Sequence, residues 1–346
     1  MSLSHITVTP NKLIKALERM LPLGLVPYVQ GPPGVGKSDI FKQFADKFGM
    51  KVIDIRLSTH APEDLTGLPM RKADGIKAEF APFDMFPLET DEIPDGYNGW
   101  LVILDEMSSA SKALQAAAYK VVLDREVGLH KLHPQCLVVA AGNRMSDKAV
   151  VIPQSTAMQS RLVHYELEVS QRDWMEWAIR TNQDYRVRGF ISYKPSVLHS
   201  FNPDHQDKTF PCPRTWEFVS RYIKDRDTLD EVDEATVAGC ISDGYGTEFI
   251  RFAEIVSSVP SIQSIISAPD NTEIPKESSY RYFIISSLID HTTKKNIDKI
   301  IKYVSRFPQE FMVIYLRALL VRDESFRNNP DFSINLSKVI KFMHED

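Results

Sequence analysis

The order of apolar and polar residues divides the chain in two. From the N-terminus to about residue 169, short apolar runs alternate with segments whose apolar residues recur every three or four positions. Thr9 and Pro10 mark a helix start, as N-cap and first helical residue. Leu13, Ile14, Leu17, Met20 and Leu21 form its apolar stripe. Leu25 to Val29 reads as a strand running into a glycine-rich loop. After the loop, Ile40, Phe41, Phe44, Ala45 and Phe48 predict a buried helix face, with Gly49 ending the helix at its C′ position. Val52 to Ile55 is a second strand. Leu101 to Leu104 and Leu137 to Ala141 are unbroken apolar runs, the pattern of parallel strands covered on both faces. Between them, Leu114, Ala117, Ala118, Val121 and Val122 predict a helix, and residues 124–135 a hairpin. Leu162 to Val169 supplies a fifth strand. The alternation predicts an α/β domain with a five-stranded parallel sheet over residues 1–169. Residues 57–99 are less regular and read as a helix carrying an inserted excursion, because a structureless connector of that length is unusual.

After Ser170 the period changes. Ser170 and Asp173 resemble a capping box opening a helix over Trp174 to Ile179, and the remainder reads as mostly helical. A break rich in Pro, Asp, Asn and Thr near Ala268 to Lys276 sets off helices at about 279–291, 294–306, 309–322 and 334–344. The expected domains are therefore 1–169, 170–267 and 268–346. At 346 residues the chain exceeds one ordinary core. Its 43% hydrophobic and 25% charged residues are those of a soluble globular protein. The net charge of −5 offers no basic excess for tight nonspecific nucleic-acid binding. A local basic stripe stays open: Lys294, Lys295, Lys299, Lys302 and Arg306 lie at helical spacing and read as a solvated face. Cys136, Cys212 and Cys240 are scattered and odd in number, which argues for a reducing compartment. Met1 to His5 lacks a basic-then-apolar signal design, and no run approaches the ~20 apolar residues that span a bilayer. The expectation is a cytoplasmic protein without membrane association.

The loop after the first strand, Gly31-Pro32-Pro33-Gly34-Val35-Gly36-Lys37-Ser38, matches the phosphate-binding pattern G-x-x-x-x-G-K-[ST]. Its setting between strand and helix gives the pattern its mechanism. Glycines let backbone N–H groups curl around phosphate oxygens, and the helix N-terminus adds partial positive charge. Lys37 can reach the β- and γ-phosphates, and the Ser38 hydroxyl can hold Mg²⁺. ATP and Mg²⁺ are the expected ligands, although the base pocket leaves no motif that separates ATP from GTP. The run Leu101 to Leu104 delivers Asp105 and Glu106 to the C-terminal end of a strand, where open α/β sheets bind ligands. Asp105 can support Mg²⁺ opposite Ser38, and Glu106 can polarise an attacking water as general base. An acidic loop after a strand is common by itself; its pairing with the phosphate loop makes it chemistry. Asn143, at the tip of the Leu137 to Ala141 run, can orient that water, although Asn at a strand end is otherwise an ordinary turn residue.

With these motifs the chain resembles the AAA+ ATPases, and among them the MoxR-like group, over about residues 7–225. Gly31 to Ser38 resembles the Walker A segment, Leu101 to Glu106 Walker B, and Asn143 sensor 1. Gln159-Ser160-Arg161-Leu162 is similar to the segment that gives an arginine finger to the next subunit. Cys212-Pro213-Arg214-Thr215-Trp216 resembles the sensor 2 segment of a helical lid. Ala61 to Gly67 resembles the start of the insert that marks the MoxR branch, and Asp124 to Gly128 the hairpin before sensor 1. The resemblance implies a P-loop domain followed by a helical lid and a C-terminal helical extension. It further implies a homo-oligomeric ring, usually a hexamer, that couples ATP hydrolysis to remodelling a protein partner. Many relatives act with a von Willebrand factor A-type domain protein. Guanidinium groups independently suit the charge that spreads over a departing γ-phosphate, and Arg144 rivals Arg161 as the finger. Two other classes fit the same engine: a nucleic-acid motor or loader, and a scaffold gated by nucleotide without turnover.

Other signals carry less. His130, His133 and Cys136 have donors at short spacing, but a zinc site needs about four ligands and no second cluster lies nearby. Trp174 and Trp177 could stack a base, yet their spacing of three on an amphipathic helix suits a lid core. Phe80, Phe83 and Phe86 could line a ring pore or pack the insert, and the sequence leaves both open.

Overall fold

The computed structural model describes residues 6–73, 75–147 and 151–343, so Met1 to His5 and the end of the last expected helix lie outside the described residues. Backbone contacts separate two units, Met1–Val169 with Asn202–Asp204, and Ser170–Phe201 with His205–Asp346.

The first unit runs β1 (Thr7–Val8), α1 (Pro10–Met20), β2 (Val26–Gln30), α2 (Lys37–Lys47), β3 (Lys51–Arg56), α3 (Pro62–Thr66), β4 (Leu68–Arg71), β5 (Ala78–Ala81), β6 (Trp100–Asp105), α4 (Lys112–Leu123), β7 (Glu126–Val127), β8 (His130–Lys131), β9 (Cys136–Gly142), α5 (Thr156–Gln159) and β10 (Leu162–Leu167). Its sheet has six strands in the order β1-β10-β2-β9-β6-β3, and every pairing is parallel. The fold is thus α/β with one strand more than expected. The extra strand is the two-residue β1, which only pairs along β10 at the sheet edge; two residues are too few to leave an alternating pattern.

The unbroken apolar strands divide their side chains between two layers. Val102 and Leu104 of β6 pack with Leu114, Ala118 and Val121 of α4. Leu101 and Ile103 pack on the other face with Leu13 and Leu17 of α1 and with Ile40, Phe41 and Phe44 of α2. Both faces are covered, so no polar residue alternates into the run. Phe48 departs from its expected place in the buried face: it caps α2 and is exposed. The irregular stretch is a short helix, α3, followed by an exposed two-stranded hairpin, β4-β5; the excursion expected beside a helix is this hairpin. Phe80, Phe83 and Phe86 do not share a face: Phe80 is exposed on β5, whereas Phe86 is buried in the core beside Leu65 and Val127. A pore lining therefore cannot include Phe86.

The second unit is helical: α6 (Gln171–Arg180), α7 (Tyr185–Tyr193), α8 (Pro213–Ile223), α9 (Glu231–Ile241), α10 (Asp243–Ala253), α11 (Ile262–Ser267), α12 (Ser278–His291), α13 (Ile297–Val304), α14 (Gln309–Arg322) and α15 (Pro330–Val339). Ser170 caps α6 by accepting from the Asp173 N–H at 3.2 Å. Ile179 and Ile265 share a core with Ile284, Ile300 and Leu316, so residues before and after 268 bury their apolar faces together. Lys302 of α13 meets Asp270 at 2.6 Å, and Arg306, just beyond the helix, donates to the carbonyls of Pro269 and Thr272. Two members of the basic stripe are thus fastened to the 268–276 loop. No helix among the described residues is long and apolar enough to cross a membrane.

Candidate nucleotide site

Three neighbouring strands end at one place. β2 lies beside β9, and β9 beside β6. Their C-terminal ends lead to the phosphate loop, to Asn143 and to Asp105. The loop turns through Gly34 and Gly36, whose φ values of 74° and 88° are left-handed and favour glycine. Gly31 is tight for another reason: a Cβ there would lie 3.0 Å from the Leu167 carbonyl oxygen.

Lys37 opens α2 and is buried at 9% exposure. Its Nζ donates to the carbonyls of Gly31 at 2.9 Å and Pro32 at 3.1 Å, and to Asn143 Oδ1 at 3.1 Å. The ammonium is thus held over the loop by neutral acceptors that phosphate oxygens can replace. Ser38 Oγ donates to Asp105 Oδ2 at 2.5 Å, which brings two hard oxygen donors from different elements together. Such donors suit Mg²⁺, a cation that takes few protein ligands and keeps its waters. The other Asp105 oxygen accepts from the Glu106 N–H at 2.7 Å.

Glu106 takes φ 56°, the left-handed region that side chains rarely adopt. The turn Met107–Ser109 begins immediately after it, and its carboxylate accepts a hydrogen bond from the Ser58 hydroxyl. Asn143 is fixed at its backbone, where its N–H donates to Ser108 Oγ at 2.8 Å. Gln30 reaches the Asn143 carbonyl at 3.4 Å. The sequence reading missed Ser58 and Ser108. Neither sits in a local motif. Only the strand order places the residue two beyond β3 beside the residue one beyond β6, since Arg56 pairs with Asp105.

The arginines differ. Arg144 is held by Asp147 through two hydrogen bonds, at 3.1 and 3.0 Å, and by Glu166 at 2.6 Å. Burial works against its charge, and these partners outweigh burial and raise its pKa. It is engaged within its own unit, which counts against it as a finger. Arg161 is exposed. Its guanidinium donates to the Ala157 carbonyl at 2.8 Å and Ser160 Oγ at 3.0 Å, and lies over the Tyr119 ring. It precedes Leu162, which pairs with Val26 at the start of β2, whereas the phosphate loop follows Gln30, paired with Glu166. Four residues of strand, about 13 Å at ~3.3 Å per residue, separate the two ends. Arg161 therefore stands at the wrong end of the sheet to serve its own loop. Arg214 is exposed on the first turn of α8 in the helical unit, where Thr215 Oγ1 accepts from the Cys212 N–H at 2.9 Å.

The discounted donors are dispersed. His130 meets the Phe80 carbonyl, and His133 Nδ1 accepts from the Gln135 N–H. Cys136 faces the core, where burial pushes its thiol up to about 12. Trp174 is buried and lies 6.0 Å from the Trp177 ring.

No family model matches the chain. Among solved structures it is similar to a Cytophaga hutchinsonii protein described as an ATPase, with TM-score 0.38 and 13% identity over 97% of this chain and 90% of that one. It is likewise similar to NtrX from Brucella abortus, with TM-score 0.38 and 14% identity over 96% of this chain and 67% of that one. A variant of Thermotoga maritima RuvB gives TM-score 0.34 and 14% identity over 95% and 86%. At that level of likeness, what the chain does must be read from its own residues.

Proposed function

We propose that the chain is an ATP-hydrolysing AAA+ protein of the MoxR-like type, working as a homo-oligomeric ring, hexameric as in that group, to remodel a protein partner. The observation that carries the reading is the meeting of Lys37, Ser38, Asp105, Glu106 and Asn143 at the ends of three adjacent strands. Backbone N–H groups of Gly34 to Ser38 and the Lys37 ammonium bind the phosphates of ATP. Ser38 and Asp105 would hold Mg²⁺, which neutralises phosphate charge when bound. Glu106 accepts the proton of the attacking water, and the Asn143 amide orients that water. Arg161, exposed at the far end of its own sheet, serves a neighbouring subunit's ATP. Arg214 serves ATP in its own chain from a helical lid, with the helices after 268 as an extension. A von Willebrand factor A-type domain protein is the partner class this reading favours. The ties of Lys302 and Arg306 to the 268–276 loop weaken the nucleic-acid alternative.

The test is phosphate release with Mg²⁺ and ATP, beside direct nucleotide binding, for the intact chain and two variants. Lys37→Ala is expected to lose ATP binding. Glu106→Gln is expected to keep binding and to lose roughly 10²–10⁴-fold in turnover, the usual worth of a positioned base. Equal loss of binding in both variants sinks the division of roles.

A further inference from the structure

Within the helical unit lies a cavity of about 290 Å³ between α6, α7, α12 and α14. Its walls are largely apolar, built from Met175, Ile179, Ile285, Ile289, Ile314 and Val321. Three arginines from three helices also line it: Arg172 of α6, Arg188 of α7 and Arg317 of α14. None of these residues has a part in the nucleotide site.

Arg188 is the unusual member. It is 2% exposed. Its Nη2 lies 2.5 Å from Asp290 Oδ1, while its buried Nε has no hydrogen-bond partner. A buried guanidinium with an open donor is costly unless an acceptor reaches it. Glu176, the one acidic residue in the wall, lies 3.7 Å from both Arg172 and Arg180. Asp290 and Glu176 are thus each already engaged by arginines.

We propose that this cavity binds a small organic carboxylate, its head group taken by Arg188 and its apolar body lying along the isoleucine wall. The planar guanidinium fork matches a carboxylate, and apolar walls with a few convergent polar groups are what small-molecule sites offer. A fully solvated inorganic anion would leave the isoleucine wall unused.

The experiment is calorimetric titration of the full chain with octanoate, octanamide and inorganic phosphate. Octanoate is expected to bind once per chain, and octanamide at least about tenfold more weakly, the discrimination expected from ~1.4 kcal/mol of head-group interaction. Ser192→Trp, which fills the cavity from its partly exposed wall, is expected to abolish octanoate binding. Arg188→Gln with Asp290→Asn keeps the pair's charge balanced and is expected to erase the preference for octanoate over octanamide. Lys37→Ala should leave octanoate binding unchanged, which separates this site from the nucleotide reading. No heat with octanoate overturns the proposal. So does equal affinity for octanoate and octanamide, binding that survives Ser192→Trp, or binding of phosphate in preference to octanoate.

Discussion

In the proposed hydrolysis, the residue whose surroundings matter most for turnover is Glu106. Its left-handed backbone and the Asp105 carboxylate fix where it begins, and Ser58 fixes where it ends. A carboxylate tied to Ser58 must break that hydrogen bond before it can reach a water. Ser58→Ala removes the restraint without touching Lys37, Ser38 or Asp105. The expected outcome is unchanged ATP affinity and a basal turnover raised by up to about tenfold, since a bond to a charged group is worth ~1.5–3 kcal/mol and tenfold in rate needs ~1.4. Steady-state phosphate release at saturating ATP measures it. A rate that falls would mean that Ser58 positions Glu106 productively.

At the scale of elements, the site depends on how closely β9 lies against β2. A Cβ on Gly142 would come 2.3 Å from the Tyr28 hydroxyl and 3.0 Å from Ser108 Oγ. Tyr28 is 2% exposed, and burial pushes its phenol up to about 12, so the ring has little room to yield. Gly142→Ala is expected to destabilise the chain by about 1–3 kcal/mol, the ordinary cost of overpacking, measured by urea unfolding. Because Ser108 holds the Asn143 N–H, kcat should fall more than ATP affinity. Adding Tyr28→Phe removes the clashing oxygen and should restore part of the stability, whereas additive losses would place the clash elsewhere. This close approach was not legible in the sequence, because it joins residues 114 positions apart through strand order. What was legible follows the same logic. β6 and β9 announced themselves because both faces are buried. The phosphate loop did so because glycine, lysine and serine are needed at fixed spacing. β4 and β5 did not, since each pairs only with the other and both are exposed. Phe80, Phe83 and Phe86, equally spaced in the sequence, fall on a hairpin strand and a loop with different burial. Ser58 carries no local signal at all.

At the scale of the whole molecule, the position of Arg161 bears on assembly. It lies at the N-terminal end of β10, while its own phosphate loop leaves the C-terminal end of β2. In the proposed ring, a guanidinium so placed would serve the γ-phosphate of another copy of the chain. Self-association should therefore tighten with a slowly hydrolysed ATP analogue, as seen by sedimentation, and specific activity should rise with protein concentration. Mixing variants then assigns the arginines. An Arg161→Ala chain keeps its own pocket intact, so beside Lys37→Ala chains, which still carry Arg161, it should regain turnover. Arg214→Ala would impair the pocket that has to work, so its mixture with Lys37→Ala should stay inactive. Recovery in the second mixture and none in the first would exchange the two roles. Alone, Arg161→Ala should lose at least roughly 10²-fold in rate, within what fingers supplied in trans contribute. Only a twofold loss would leave Arg161 a surface group resting on Tyr119. Arg144 would then be the finger, but it must first leave Asp147 and Glu166. In that case the activity of Asp147→Asn with Glu166→Gln should rise above that of the unaltered chain.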